Sequence, residues 1–367
     1  MSKENPHVVI AGGGTGGHLF PGIAVVEALE ELVPSLRASF VGTAKGIEAR
    51  VIPRLGYDLH LVDVASLKGA GASGLAKGLT RLPASALQSR KILTAIQPDA
   101  VISVGGYAAG PFTMVAALAG VPTALMEQNA TPGLTNKMLG RLVDRAFVTF
   151  EESKSYFGKT RCEVVGNPVR RQIVERAAGF QYKEPAPNGE FRILVIGGSG
   201  GAGSFNQGVP DWMQNMGKLA QNIHVRHQAG RNRGGEVVQR YEGFAGKAEV
   251  VEFIDDMAEA YAWCDLLICR AGASTIAEVL ILGVPAIYIP FPGAADNHQE
   301  KNALAVVEAG AGIMIDDVEI TSDRSQRLLA GLIGNPVALA NIAHRAKGLG
   351  RPEAAQTIAS KIMELMK

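Results

Sequence analysis

Two glycine-rich turns constrain the fold of this chain more than any other feature of its sequence. Gly12–Gly17 (GGGTGG) and Gly197–Gly203 (GGSGGAG) each follow a short apolar run and each open an amphipathic segment. A strand, a glycine turn and a helix in that order let backbone N–H groups close on an anion at the helix N-terminus. Two such turns, about half a chain apart, predict twin α/β domains that face each other across a ligand cleft.

The length and the apolar runs agree with this organisation. A chain of 367 residues is long enough for two domains, each with its own core. Near-continuous runs such as Ile193–Ile196 predict strands buried on both faces, as in parallel sheets. The polar stretch Arg171–Glu190 predicts a linker between the domains, and Gly348–Pro352 marks a second, softer boundary before a last amphipathic helix.

Charge and cysteine content exclude several classes of protein. The net charge of +1 gives no reason to expect a nucleic-acid partner. The three cysteines show neither metal-ligand spacing nor a disulfide framework, which fits a reducing cytoplasm. No signal-peptide core and no apolar run of about 20 residues is present. We therefore expect a soluble protein that can still rest on a membrane.

The glycine turns permit a nicotinamide or flavin enzyme as one alternative. Gly12, Gly14 and Gly17 have the spacing of the dinucleotide fingerprint, and the second turn repeats it. That fingerprint requires an acidic residue about 20 positions on, where the second strand ends, to hold the ribose. Gly42-Thr43 and Gln228-Ala229 stand at these positions instead. The dinucleotide interpretation is therefore weakened in both halves.

Phosphate-loop and metal-dependent enzymes are less well supported. Gly158-Lys159-Thr160 resembles the end of a phosphate loop, but Ser153 stands where the leading glycine is needed. The chain has no Asp-x-Asp pair to hold a metal–diphosphate, so metal-dependent sugar transfer has no obvious ligands. We expect neither a metal nor another cofactor.

His18 closes the first glycine turn where a helix should begin. One interpretation is a histidine that only packs or caps there. The other is a general base, because a near-neutral imidazole suits the deprotonation of a sugar hydroxyl. The positive end of the helix dipole would keep that imidazole neutral.

Polar residues follow two apolar runs of the second half. Arg270–Glu278 comes directly after one, where Ser274 and Thr275 can cap a helix or bind phosphate. Glu278 can accept from two vicinal ribose hydroxyls, or it can be an ordinary first-turn glutamate that complements the helix dipole. Asp296–Asn302 follows another run and is either a ligand-binding edge or a polar helix start.

Other segments place hydrogen-bonding groups at strand ends. Gly105–Tyr107 and Glu127–Asn129 do so in the first half, and Phe253–Met257 does so in the second, where Asp255 could cap the next helix. Lys68–Leu82 and the nearby Arg90-Lys91 mix leucines at helical intervals with basic residues. They predict either an apolar patch with a basic rim for anionic lipid or an ordinary amphipathic helix.

Taken together, these segments resemble the MurG family, the bacterial glycosyltransferases that add N-acetylglucosamine to lipid I in peptidoglycan synthesis. The resemblance runs in order along nearly the whole chain, and no single motif carries it alone. Its motifs are GGTGGH ending at His18, GGY ending at Tyr107, EQN ending at Asn129, GLTNK ending at Lys137, VVGNPVR ending at Arg170, GGS ending at Ser199, EFIDDM ending at Met257, RAGASTxxE ending at Glu278 and HQxxN ending at Asn302.

The resemblance implies the GT-B architecture of two Rossmann-like domains with parallel sheets. The first would be an acceptor and membrane-side domain over residues 1–169, to which the C-terminal helix at about 350–367 returns. The second would be a UDP-N-acetylglucosamine-binding domain over residues 170–349. The donor would be held by Ser199, Ile254, Ala273, Ser274, Thr275, Ile276, Ala277, Glu278 and Gln299. One departure is that Gly200-Gly201 follows Ser199, where the family often has Gln-Gly.

The same resemblance implies the acceptor side and the reaction. Thr15, Gly16 and Gly17 would form the acceptor-side loop that reaches the donor, and Tyr107 would bind substrate. Asn129 and Gln299 would hold the N-acetylglucosamine hydroxyls, and Arg170 would supply positive charge at the diphosphate. His18 or Glu127 would be the catalytic base of an inverting transfer to lipid I, and closure across Arg171–Glu190 would exclude water. We expect UDP-N-acetylglucosamine, lipid I and an anionic membrane surface as partners, at the cytoplasmic face of the cell membrane. An epimerase of the same architecture, an NAD-dependent oxidoreductase and a non-catalytic sugar-nucleotide-binding module remain alternatives.

Overall fold

The protein consists of two α/β units. A computed structural model describes residues 5–64, 72–158, 160–186, 189–198 and 200–367, with the backbone alone over residues 72–82. One compact unit contains residues 1–170 and 351–367, and the other contains residues 171–350. Each unit is built on one sheet of parallel strands. This confirms the predicted α/β class with two parallel sheets.

Strands and helices alternate along most of the described chain. The strands are β1 (His7–Gly12), β2 (Arg37–Gly42), β3 (Asp58–Leu61), β4 (Ala100–Gly105), β5 (Thr123–Glu127), β6 (Arg145–Val148), β7 (Arg161–Val164), β8 (Phe191–Ile196), β9 (Ile223–Gln228), β10 (Lys247–Val251), β11 (Leu266–Cys269), β12 (Ala286–Tyr288) and β13 (Ile313–Met314). The α-helices are α1 (Gly16–Leu32), α2 (Glu48–Val51), α3 (Ala72–Ile96), α4 (Ala109–Leu118), α5 (Leu134–Leu139), α6 (Arg171–Ala178), α7 (Gly203–Gln214), α8 (Gly234–Arg240), α9 (Met257–Trp263), α10 (Ala273–Leu282), α11 (His298–Glu308), α12 (Asp323–Ile333), α13 (Pro336–Leu349) and α14 (Ala354–Leu365).

The strand order places a ligand-binding crevice in each unit. The first sheet runs β3-β2-β1-β4-β5-β6-β7 and the second runs β10-β9-β8-β11-β12-β13. The order therefore reverses between β1 and β4 in one unit and between β8 and β11 in the other. Parallel α/β sheets bind ligands at such a reversal, outside the carboxyl ends of the strands. The two glycine turns leave β1 and β8, so both lie at these positions.

Continuous apolar runs explain why the central strands lie inside. Every residue of β1 and of β4 is buried, as expected for strands that are covered on both faces. The last helix contributes to the same core, because Ile358 and Ile362 of α14 belong to one buried cluster with Ile23 and Leu29 of α1. The C-terminal residues 351–367 thus fold with the first unit.

The segment predicted as a linker is more ordered than its polar composition indicates. Residues 171–178 form α6, whose Ile173 and Ala177 are buried one helical turn apart. Tyr182 packs against the core of the second unit, and its hydroxyl donates to the Asp265 carbonyl at 3.0 Å. Two apolar positions among charged ones were sufficient to attach this helix, so the linker prediction is corrected for residues 171–182.

Candidate active site

The turn after β1 is held against the turn after β4 by direct backbone contact. Gly12, Gly13 and Gly14 have φ values of +131°, +139° and +85°, a region that side chains disfavour. Gly13 N–H donates to the Gly105 carbonyl at 3.2 Å. A Cβ on Gly12 would lie 2.1 Å from that same oxygen, so only glycine permits this approach. The pair of turns forms the edge of the first crevice.

His18 lies in the first turn of α1, at this edge. Thr15 is the residue before the helix, and its hydroxyl makes no capping bond but lies 3.1 Å from His18 Nδ1. The ring also lies close to β4, because a Cβ on Gly105 would be 3.1 Å from His18 Cδ2. Thr15 and Gly17 are exposed, and Gly16 and His18 are half-buried. The imidazole is therefore oriented by a hydroxyl and within reach of solvent.

Glu127, the other candidate base, is buried and saturated with hydrogen bonds. Its side chain is 3% exposed. Oε1 accepts from the backbone and side-chain nitrogens of Asn129 at 3.0 and 3.2 Å, and Oε2 accepts from Gly133 N–H at 3.2 Å and Asn136 Nδ2 at 2.8 Å. Burial raises the pKa of Glu127, and these four bonds oppose that rise. The geometry is that of a carboxylate that organises the loop after β5.

The remaining first-unit residues of the predicted site have different surroundings. Tyr107 is 38% exposed directly after the Gly105-Gly106 turn. Asn129 is half-buried and bonded to Glu127. The Arg170 guanidinium lies 5.5 Å from the centre of the Phe20 ring, on α1. The structure thus brings His18 and Asn129 to the same edge of the sheet, and Arg170 packs against Phe20 of α1, the helix that carries His18.

In the second unit, the turn after β8 is closed by the strand beside it. Gly198 and Gly201 have φ values of +90° and +71°. A Cβ on Gly201 would lie 2.1 Å from the Ala229 carbonyl, so the turn packs directly on the end of β9. The turn leads into α7 at Gly203, as the sequence predicted. Ser199 lies outside the described residues.

The turn after β11 enters α10 without a side-chain cap. Gly272 precedes the helix, so the prediction that Ser274 or Thr275 caps it is wrong, because both lie inside the first turn. Ala273 is buried and the two hydroxyl residues are half-buried. Ile276 is 1% exposed and its N–H donates to the Gly272 carbonyl, so it faces the interior. Ala277 is buried in the same turn.

Glu278 lies in the second turn of α10 and is 8% exposed. The alternative of an ordinary first-turn glutamate is therefore wrong. Its Oε2 accepts from the Tyr261 hydroxyl at 2.9 Å, from the neighbouring helix α9. A carboxylate has two oxygens that accept hydrogen bonds, which is the chemistry needed to bind the hydroxyls of a diol.

Ile254 is tied to the glycine turn through a residue that the sequence analysis did not single out. Gln228, at the end of β9, donates from Nε2 to the Gly198 carbonyl at 2.8 Å and accepts Ile254 N–H on Oε1 at 3.3 Å. Both Gln228 and Ile254 are buried. Asp256, rather than Asp255, caps α9 by accepting Glu259 N–H at 2.9 Å.

The turn before α11 places Gln299 beside the end of the sheet. Asp296 and Asn297 both have left-handed backbone conformations, and neither caps the helix through its side chain. The side-chain carbonyl oxygen of Gln299, Oε1, accepts Phe291 N–H at 2.9 Å. The side-chain NH₂ group of Gln299 is therefore directed away from that bond. Asn302 donates to the Ala271 carbonyl at 3.3 Å and so links α11 to the turn after β11.

Among the residues that the structure describes, no helix is both long and apolar enough to cross a bilayer. Within the same ranges, no three His, Cys, Asp or Glu side chains are grouped as metal ligands. The side chains of the predicted Lys68–Leu82 patch all lie outside the described part of the structure. In the Gly158–Thr160 turn, Lys159 lies outside it.

Known families account for both units. Residues 8–148 match the glycosyltransferase family 28 N-terminal domain, and residues 192–358 match the family 28 C-terminal domain. A solved structure, that of Acinetobacter baumannii MurG, superposes with a TM-score of 0.81 at 28% identity and covers 98% of this chain and 99% of that one. The fold is therefore that of the GT-B glycosyltransferases. A putative UDP-N-acetylglucosamine 2-epimerase from Listeria monocytogenes shares the fold alone, at 16% identity and a TM-score of 0.67.

Curated relatives narrow the family further. The UDP-N-acetylglucosamine–N-acetylmuramyl-(pentapeptide) pyrophosphoryl-undecaprenol N-acetylglucosamine transferase of Myxococcus xanthus is 45% identical and covers 98% of this chain and 93% of its own length. The protein of that name from Geobacter metallireducens is 43% identical and covers 97% and 98%. The chain therefore belongs to the MurG family of glycosyltransferases, within glycosyltransferase family 28.

Proposed function

We propose that the protein transfers N-acetylglucosamine from UDP-N-acetylglucosamine to the MurNAc 4-hydroxyl of lipid I, which is undecaprenyl-pyrophosphoryl-MurNAc-pentapeptide, to form lipid II. The observation that carries this proposal is the 45% identity, over 98% of the chain, to a relative named for that transfer. The buried Glu278 and the oriented His18 supply the two chemical roles that such a transfer needs.

The second unit is proposed to hold the donor. Glu278 would accept the two ribose hydroxyls, since vicinal hydroxyls and a carboxylate make a bidentate pair. Gln228 already engages Ile254 N–H, so Ile254 would offer its carbonyl to the uracil ring. Gln299, with its carbonyl on Phe291 N–H, would turn its NH₂ group to a sugar hydroxyl.

Charge that develops on the leaving diphosphate needs stabilisation in the transition state. Helix α7 begins after the glycine-rich turn and α10 begins directly after Gly272, and the N-terminal N–H groups and dipoles of both helices favour an anion there. Ser274 and Thr275 lie half-buried in the first turn of α10 and would add hydroxyl donors. Arg170 would add a positive charge. Preorganised donors of this kind are usually the largest electrostatic contribution to such a transfer.

The first unit is proposed to bind the acceptor and to remove its proton. With Nδ1 protonated and donating to the Thr15 hydroxyl, His18 Nε2 carries the lone pair that a general base needs. The deprotonated hydroxyl would attack the anomeric carbon from the face opposite the diphosphate, so the configuration inverts. We assign the base to His18 rather than Glu127, whose two oxygens accept four hydrogen bonds in the interior. Glu127 would instead hold Asn129 for the sugar.

A lipid-borne acceptor requires that the protein reach a membrane surface. On the described part of α3, Leu87 is 63% exposed, and Arg90 and Lys91 are exposed close to it. An apolar side chain beside basic ones suits an anionic lipid surface. We therefore propose peripheral binding to the cytoplasmic face of the cell membrane.

Product analysis tests the proposal against its rivals. The protein is incubated with UDP-N-acetylglucosamine, with and without a short-chain lipid I analogue, and both lipid and nucleotide products are separated. We expect a lipid-linked disaccharide only when the acceptor is present. Conversion of the donor to its 2-epimer without acceptor would identify an epimerase. Binding of UDP-N-acetylglucosamine with no product in either reaction would identify a sugar-nucleotide-binding module.

A further inference from the structure

The first glycine turn already holds an anion, and that anion belongs to the chain itself. Glu48, the first residue of α2, is 1% exposed. Its Oε2 accepts Gly14 N–H at 2.7 Å. Its Oε1 accepts the Thr43 N–H at 2.9 Å and the Thr43 hydroxyl at 3.0 Å. The carboxylate therefore joins the turn after β1 to the turn after β2.

The pocket around this carboxylate is lined by glycines that no other residue could replace without displacement. A Cβ on Gly13 would lie 2.5 Å from Glu48 Oε2, and one on Gly46 would lie 2.1 Å from the same atom. A Cβ on Gly42 would lie 2.4 Å from Glu48 Cγ. A Cβ atom essentially never lies this close to a neighbouring heavy atom. Three glycines thus form a close-fitting cradle for one glutamate side chain.

This arrangement follows from the electrostatics of a glycine turn. A strand, glycine turn and helix direct N–H groups at a point where an anion is favoured. A buried carboxylate is costly unless several donors satisfy its oxygens. Glu48 and the turn therefore stabilise each other through the hydrogen bond from Gly14 N–H to Glu48 Oε2.

We propose that Glu48 is a positioning residue for the catalytic edge of the first unit. Its bond to Gly14 N–H fixes the residue that directly precedes Thr15, and Thr15 in turn contacts His18 Nδ1. The inference rests on the proposed role of His18 as the base. It also assigns the acceptor's diphosphate to donors other than Gly14 N–H, because Glu48 holds that group.

Two variants and a matched control separate positioning from folding. Glu48→Ala empties the cradle, and Glu48→Gln keeps the shape but offers only one acceptor oxygen. Displacement of a catalytic group by about 1 Å can cost about 10²-fold in rate. We expect kcat to fall about 10–10²-fold in Glu48→Ala and less in Glu48→Gln, with the UDP Kd of both changed less than about twofold. Glu30→Gln, which makes the acceptor of the Tyr57 hydroxyl neutral and leaves the Glu48 cradle intact, should keep the wild-type kcat.

Chemical rescue of kcat distinguishes a positioning role of Glu48 from a purely structural one. Sodium formate, a carboxylate small enough for the emptied cradle, should restore part of the kcat of Glu48→Ala, and sodium chloride at equal ionic strength should not. Formate should leave wild type and Glu30→Gln unchanged. A folded Glu48→Ala with wild-type kcat would overturn the inference, as would a loss of kcat in both Glu48 variants that only follows their folded fraction. Wild-type transfer in the same assay shows separately whether the proposed function holds.

Discussion

The Thr15 hydroxyl lies 3.1 Å from Nδ1 of His18, at the N-terminus of α1. When Nδ1 donates to that hydroxyl, the basic lone pair of the imidazole is on Nε2. Thr15 would then select the tautomer that can remove a proton from the acceptor. The same contact explains why Thr15, the residue directly before α1, does not cap the helix through its side chain.

Replacement of His18 by alanine should therefore reduce chemistry and spare donor binding. General-base catalysis contributes a factor of about 10²–10⁴, and we expect kcat to fall by that amount. UDP-N-acetylglucosamine binding, measured by calorimetric titration, should be nearly unchanged because His18 belongs to the first unit. His344→Ala is the matched control, since His344 is exposed on α13. Normal turnover from His18→Ala would remove His18 as the base.

The buried Glu278 should determine nucleotide affinity. Its loss removes charged hydrogen bonds worth about 1.5–3 kcal/mol, which weakens UDP binding about 10- to 150-fold. Tyr261→Phe removes only the hydroxyl on Glu278 Oε2 and should have a smaller effect of the same sign. Glu236→Ala, an exposed first-turn glutamate of α8, is the control and should bind UDP like wild type. Equal UDP affinity in Glu278→Ala and Glu236→Ala would contradict the ribose assignment.

Gln228 should affect the donor through the two loops that it joins. Gln228→Ala leaves the Gly198 carbonyl and Ile254 N–H without this bridge. Unsatisfied buried groups cost about 1–3 kcal/mol, and we expect UDP to bind about 5- to 150-fold more weakly, with kcat near wild type at saturating donor. The measurement is a UDP titration of Gln228→Ala and of Gln239→Ala, an exposed glutamine of α8. A change in kcat without a change in UDP affinity would refute this role.

A buried histidine should make the second unit sensitive to acid. Asn206 donates to the Ala229 carbonyl, so its Oδ1 accepts from His227 Nε2–H at 3.2 Å, and His227 Nδ1 accepts from the Tyr241 hydroxyl at 2.9 Å. Burial lowers the pKa of His227 from 6.5 to about 4. The folded state favours the neutral imidazole. The contribution of neutral His227 to the free energy of unfolding is therefore complete above pH 6.5, where the imidazole is neutral in the unfolded state as well.

That contribution should be lost as the pH falls from 6.5 towards 4, because the unfolded state binds the proton first. The loss is on the order of 3 kcal/mol. Denaturant unfolding across this range should show a shallower pH dependence for His227→Gln than for wild type. His344→Gln, at an exposed site, should keep the wild-type slope. Parallel slopes for wild type and His227→Gln would contradict the burial argument.

The order of strands, turns and helices could be predicted from the sequence because it depends on local signals. A continuous apolar run such as Ile193–Ile196 predicts a central strand, and the glycines of Gly197–Gly203 predict a turn before a helix. Such turns lie at the carboxyl edge of a parallel sheet, so the turns that lead into the helices of His18 and Glu278 could be placed at that edge in advance. The predicted sheets are confirmed for this reason.

The contacts that fix the site depend on distant residues and were not predictable. Glu48 accepts from Gly14, 34 positions earlier in the chain, and no local pattern marks that partner. The bridge from Gln228 to Ile254 also depends on how β9 and β10 align. Burial separates Glu278 from a surface glutamate, and burial follows from α9 packing against it rather than from its position in α10. The polar composition of residues 171–178 likewise gave no indication of α6, because tertiary packing overrides the local preference of the sequence.

Release of UDP, followed continuously with and without a short-chain lipid I analogue, tests the central claim most directly. The account predicts rapid release that depends on the acceptor and saturates with it, and slow hydrolysis of UDP-N-acetylglucosamine when the acceptor is omitted. Release at the same rate with and without the acceptor would contradict it.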